Sequence, residues 1–177
     1  MTTADDTRSR ILAAAKHLFS ERGYALTSLA DIASAVGLTK TAIAYHFHPK
    51  NRLATELIAP AAEDMIALLG TDFGDDRRAF VTTLVDFQVR HREVMRLFME
   101  DIGGADEAPP GSPGEAVRTF RDELYAKLVG PDPDEEARVR GWALLGALQS
   151  ALLRTMDLPQ ERVRGPLVQA ALAIEGL

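Results

Sequence analysis

Within Thr27–Phe47, the outward side of one short helical stretch carries Thr39, Lys40, Thr41, Tyr45 and His46. These are hydrogen-bond donors and one cation, with no acidic residue between Thr39 and Arg52. Such a set is suited to phosphate oxygens and base edges. It is poorly suited to bond-making chemistry, and the chain offers little elsewhere. There is no Gly-x-Ser-x-Gly elbow, no Gly-rich phosphate loop and no His-Glu-x-x-His helix. The absence of cysteine removes disulfides, thiolate catalysis, thiol redox sensing and Cys-based zinc sites. His46 and His48 form a His-x-His pair, but the nearest acidic residues in sequence are Asp31 and Glu56, so a phosphate contact from His46 is a better reading than a metal. His91, among Arg90, Arg92 and Arg96, reads as part of a polar face. No cofactor, metal or catalytic residue is expected.

Two helices joined by a tight turn would position the donor set. Ser28 or Thr27 can cap the first helix, and Asp31 suits both the capping pattern and the positive end of the helix dipole. Leu29, Ile32, Ala33 and Val36 then share one face. Gly37 can adopt the left-handed conformation that ends a helix, and Thr39 can cap the second, whose Ala42, Ile43 and Phe47 point inward. An ordinary αα-hairpin would explain the apolar positions equally well. It does not explain an exposed face rich in donors and free of acids.

The stretch Leu29-Ala30-Asp31-Ile32-Ala33, Gly37-Leu38-Thr39-Lys40, Tyr45-His46-Phe47 and Lys50 with Leu53 resembles the DNA-binding signature of the TetR family of transcriptional regulators. One departure is Ala44, where the family usually has an aromatic that touches the DNA backbone. The resemblance implies an all-α protein. Residues 1–48 would form a three-helix DNA-binding head with a helix-turn-helix, and residues 49–177 a helical effector-binding and dimerisation body. Lys40, Thr41, Tyr45 and His46 would contact bases and backbone, with Thr27, Ser28, Thr39 and Lys50 on phosphates.

Charge is divided along the chain. The net charge of −6 would by itself argue against a polyanionic partner. Residues 1–55, however, hold seven Lys and Arg against four acids, leaving 13 basic and 22 acidic residues in the rest. A basic front on an acidic remainder is expected when only the front meets DNA. No apolar run is long enough to span a bilayer, and no cleavable signal precedes Asp5, which places the expected site of action in the cytoplasm, away from membranes.

The remaining helices follow from periodicity. Asp5–Arg22 carries Ile11, Leu12, Ala15, Leu18 and Phe19 at helical spacing and stops at Gly23; its Arg8 and Arg10 could reach a phosphate. A helix with Pro49 at its first position runs toward Gly70, with Pro60 expected to kink it near Leu57 or Ile58. Residues 77–102 read as helix, broken near His91 into two pieces, followed by a Gly/Pro/acidic loop over 103–114. Ser112 would cap a helix ending at Gly130-Pro131. Asp132, Pro133, Asp134, Glu135 and Glu136 open the next, which runs to about Met156 with almost no polar side and needs cover from more than one direction. The last, Pro159–Ile174, holds Gly165-Pro166, which should kink or delay it.

By the same resemblance, the last two helices would meet a symmetry mate through Trp142, Leu145, Leu148, Leu152, Val163, Leu167 and Ala171. Met65, Phe80, Leu84, Phe87, Met95, Phe98, Met99 and Phe120 would line a cavity for a small apolar or amphipathic effector, although residues of these types at helical spacing are more often core filler. The function implied is a homodimeric repressor of palindromic double-stranded DNA, released by its effector. A small-molecule-binding helical protein or enzyme whose helix-turn-helix is only structural is the rival reading, and a DNA-binding protein without an effector is a third.

Overall fold

The computed structural model describes the backbone of residues 4–24, 26–47, 50–101 and 113–177, with the side chains of these apart from 4, 51, 97–101, 113–114 and 116–117. The described residues form α1 (Ala4–Arg22), α2 (Leu29–Val36), α3 (Lys40–His46), α4 (Asn51–Gly70), α5 (Arg77–Arg90), α6 (Arg92–Asp101), α7 (Pro113–Val129), α8 (Glu135–Arg154) and α9 (Gln160–Glu175). There is no strand among them, and no helix long and apolar enough to cross a membrane. Ser112 and the 103–112 part of the expected loop lie outside the described residues, as does His48.

Two separate apolar cores organise these helices. The first gathers Ile11, Ala15, Leu18 and Phe19 of α1 with Ile32 and Ala33 of α2, Ile43 of α3, Phe47, and Leu53 of α4. The second centres on α5. Its Phe80, Val81, Leu84, Val85, Phe87 and Val89 are all buried, so α5 is surrounded rather than laid on one face. α9 runs antiparallel to it, pinned near one end by Arg77–Glu175 at 2.5 Å and toward the other by Arg164 on Asp86 at 2.5 and 2.9 Å. Leu144, Leu145, Leu148 and Leu152 of α8 and Val163, Leu167 and Ala171 of α9 complete this core.

α4 belongs to both cores. Leu53 and Leu57 pack into the first, whereas Met65, Leu68 and Leu69 pack into the second. It continues as one helix through Pro60. Proline has no N–H, so the Glu56 carbonyl loses its helical donor there and the ladder is weakest between the two cores. At its far end, Lys127 Nζ on α7 donates to the carbonyls of Leu69 and Thr71 at 2.9 and 2.8 Å, a cation on the negative end of the helix.

His91 is the joint between α5 and α6, where the sequence suggested a break. α9 starts at Gln160, ahead of Gly165-Pro166, so that pair does not delay it. α7 and α8 come together at Gly141, where an added Cβ would lie 2.5 Å from Val129 Cγ1 and 3.1 Å from Tyr125 Cε2. That close approach lets Trp142 stack on Tyr125, with ring centres 4.4 Å apart.

Candidate nucleic-acid interface

α2 and α3 have eight and seven residues, too few to hold helical form alone. Their ends are therefore fixed by specific hydrogen bonds. Ser28 Oγ accepts from Asp31 N at 3.2 Å, while Asp31 Oδ2 accepts from Ser28 N at 2.7 Å, closing a reciprocal capping box. The Ser28 hydroxyl also donates to Asp31 Oδ2 at 2.6 Å, and the Ser28 bonds hold the Asp31 carboxyl below the usual carboxylate range. Gly37, at φ 71°, ends α2 in the left-handed region, with Leu38 N bonded to Ala33 O at 2.9 Å. Thr39 Oγ1 then accepts from Ala42 N at 3.1 Å and starts α3. Ile43 and Phe47 bury the inner side of α3, and Arg10 of α1 braces the turn by donating to Val36 O at 2.9 Å.

Burying that side turns the opposite one outward. Thr39, Lys40 and Thr41 are exposed, Tyr45 is 86% exposed, and His46 is half-buried beside it, the two rings 5.3 Å apart edge to face. Ser28 is exposed at the start of α2. Thr27 stands apart at 1% exposure. Its hydroxyl lies 2.9 Å from Gly23 O and 3.3 Å from Leu18 O, tying the α1–α2 turn to α1. Lys50 is folded onto the head: Nζ donates to Tyr24 O and lies 3.9 Å from the centre of the Tyr24 ring. Arg8 is engaged with Glu56 of α4 and lies over the Phe47 ring.

In the body, the sequence-nominated pocket residues converge. Phe80, Leu84, Phe87 and Phe120 are buried together, the Phe87 and Phe120 rings 5.6 Å apart, with Met65 and Met95 packed against them. The side chains of Phe98 and Met99 lie outside the described residues.

Of the residues named for a subunit interface, Leu145, Leu148, Leu152, Val163, Leu167 and Ala171 are turned into the core of their own chain, and Trp142 is 45% exposed. The outward face of α8 instead carries Val139, Trp142, Ala143, Gly146, Ser150 and Leu153, and that of α9 carries Gly165, Ala170 and Ala173. Periodicity in α8 did not separate these faces, because both are apolar. Size gives a partial signal in α8: Leu144, Leu145, Leu148 and Leu152 face inward, whereas the small Ala143, Gly146 and Ser150 lie outward beside Val139, Trp142 and Leu153.

A capped helix pair presenting a donor-rich side, joined by α4 to an all-helical body, defines a helix-turn-helix protein. Residues 11–57 match the family model described as bacterial regulatory proteins, tetR family. The HTH-type transcriptional regulator TtgR of Pseudomonas putida is 46% identical over 55 residues, 31% of this chain and 26% of that protein. The HTH-type transcriptional repressor KstR2 of Rhodococcus jostii is 27% identical over 111 residues, 56% of this chain and 54% of that protein. The chain thus spans about a quarter to a half of the length of these curated relatives. Over the full fold it is similar to the TetR family transcriptional regulator PfmR from Thermus thermophilus, with TM-score 0.64 and 23% identity, covering 98% of this chain and 96% of that one. Residues 11–57 thus match the head of tetR-family regulators, and the chain as a whole has the fold of the solved structure it resembles.

Proposed function

We propose that the protein is a transcriptional regulator, acting as a homodimeric repressor that binds palindromic operator DNA and is released by a small apolar or amphipathic effector. The observation that carries this reading is the outward set of Thr39, Lys40, Thr41 and Tyr45 on a helix capped at its start and buried along its inner side. Lys40 and Thr41 lie in its first turn, where a helix entering the major groove makes base contacts. Ser28 and Thr39 stand beside it at helix N-termini, where backbone N–H groups favour phosphate. Lys50 reaches phosphate once it leaves the Tyr24 carbonyl. A reader of genomic DNA of this kind works in the cytoplasm of a bacterium.

Dimerisation is supported by the outward faces of α8 and α9. Val139 is 70% exposed on α8, and Gly146, Ala170 and Ala173 would let a partner's backbone come close. Two subunits joined there would present their α3 helices to successive major grooves, about 34–36 Å apart for half-sites one turn apart. The aromatic cluster of Phe80, Phe87 and Phe120 supports an effector site in the body, and an effector favouring one head spacing would shift the population and release DNA.

The test is retention of genomic fragments by the purified protein, followed by gel shift at two salt concentrations. Affinity that falls steeply with salt is expected, because each neutralised phosphate releases counterions. Failure to retain any fragment at low salt would overturn the proposal. Compounds that release the retained fragments then identify the effector class.

A further inference from the structure

Three consecutive residues at the joint between α5 and α6 reach three different parts of the molecule. His91, buried at the end of α5, donates from Nε2 to Asp64 Oδ2 of α4 at 2.8 Å, and Arg90 Nη1 holds the same oxygen at 2.8 Å. Arg92 donates from Nη2 to Leu158 O at 2.7 Å and lies 3.4 Å from Thr155 O through Nη1, both in the corner between α8 and α9. Glu93 turns back to the head, with Oε2 2.5 Å from Lys16 Nζ of α1. The helix these residues open packs on α1, α4, α5, α7 and α8.

Arg92 is placed at a cost. It is 7% exposed, and it sits at the first position of α6, where the helix dipole disfavours a cation. Its hydrogen-bond partners among the described residues are carbonyls, and its Nε is buried without an acceptor. What holds it is the Leu158 carbonyl just beyond α8, together with the Thr155 carbonyl at the C-terminal end of α8, where the dipole favours a cation. The arrangement therefore serves the joint between helices more than the stability of α6.

The joint matters because, among the described residues, the head meets the body chiefly in two places. One is α4, weakened at Pro60 between its head-packed and body-packed halves. The other is the contact of α1 with α6, which bridges that weak point from the side. We propose that His91, Arg92 and Glu93 are positioning residues. They fix where the DNA-binding head stands relative to the α8–α9 hairpin, and so fix the separation of the two recognition helices in a dimer. This rests on the regulator reading given above.

The proposal separates spacing from base readout. Fragments retained by the wild type supply the half-site, which is then placed in a series of duplexes whose spacer changes by one base pair. The wild type should show a narrow optimum. Lys16→Glu and Glu93→Lys should each broaden or move it, by up to about fivefold in relative affinity because the pair is half-exposed, with half-site preference unchanged. The double swap should restore it, and Arg92→Lys should move it further than either single change.

Because the chain contains no cysteine, a spin label at Ser34→Cys on the exposed side of α2 is unique and reads the head-to-head distance without DNA. The single charge reversals should widen that distance distribution and the double swap should narrow it. Thermal unfolding accompanies both measurements. Unchanged optimum and unchanged distances in all variants would overturn the proposal, as would affinity falling equally at every spacer in step with the melting temperature. Loss of all DNA binding by the wild type would overturn the regulator reading instead, and the label distances would still decide the positioning claim.

Discussion

The head and the body of this molecule are built by different means. In the head, two helices of eight and seven residues stand because named side chains close their ends: the Ser28–Asp31 box, Gly37 and Thr39. In the body, helices of 10 to 20 residues pack around α5 and are held by branched side chains from distant parts of the chain. Local bonds give the head a definite outer surface on a small core. Non-local packing buries the aromatic cluster of Phe80, Phe87 and Phe120 in the body, and leaves no signature in a short window of sequence.

Core truncation should produce the largest effects and test whether the two regions are independent. Phe47→Ala, which empties the fully buried position under α3, should cost about 3–5 kcal/mol and abolish fragment retention. Amide exchange should show lost protection in α1–α3 with α5 and α9 retained. Leu144→Ala in the body should give the opposite pattern, at about 2–5 kcal/mol. Equal loss in both regions from either change would mean that α4 fuses them into one cooperative unit.

Next in size is Gly141→Ala. The added methyl meets Val129 and Tyr125 and should cost about 1–3 kcal/mol by overpacking, seen as a lower melting temperature with the head's exchange pattern intact. Ser28→Ala removes one half of the capping box and should cost about 1 kcal/mol. Its effect on DNA affinity should exceed its effect on the overall melt, because the loss is confined to the helix-turn-helix.

The smallest expected effect is a pH dependence shared by both regions. Asp31 is held below the usual carboxylate range by Ser28, and Asp64 by the hydrogen bond from His91 and then that from Arg90. A depressed carboxylate contributes its full stabilisation above its unfolded value, about pH 4, and loses it as pH falls through the folded value. Melting temperatures recorded from about pH 6 down to about pH 3, the window that spans this loss, should fall less steeply for Asp31→Asn and Asp64→Asn than for the wild type. Parallel curves would remove these two contacts from the acid response.

Legibility in the sequence followed the same division. The caps at Ser28 and Thr39, the stop at Gly37 and the break at His91 were readable because each is decided by its immediate neighbours in sequence. Thr27 was assigned to phosphate by the family resemblance, whereas the chain folds it under the turn onto Gly23 and Leu18. Lys50 likewise sits on Tyr24, 26 residues away in sequence, which no local pattern reports. In α8, apolar residues occur on every side, so spacing could not assign Leu145 and Leu148 to the chain's own core or Val139 and Gly146 to its surface. The Arg92 contacts with the α8–α9 corner join residues 63 and 66 positions apart and were equally invisible.

The Tyr125–Trp142 stack has a practical corollary. The chain's sole indole lies half out of α8, flat on a phenol and under the Arg121 guanidinium, on the side proposed above for a second subunit. Association and dissociation of subunits should therefore report themselves as a shift in one unlabelled emission band.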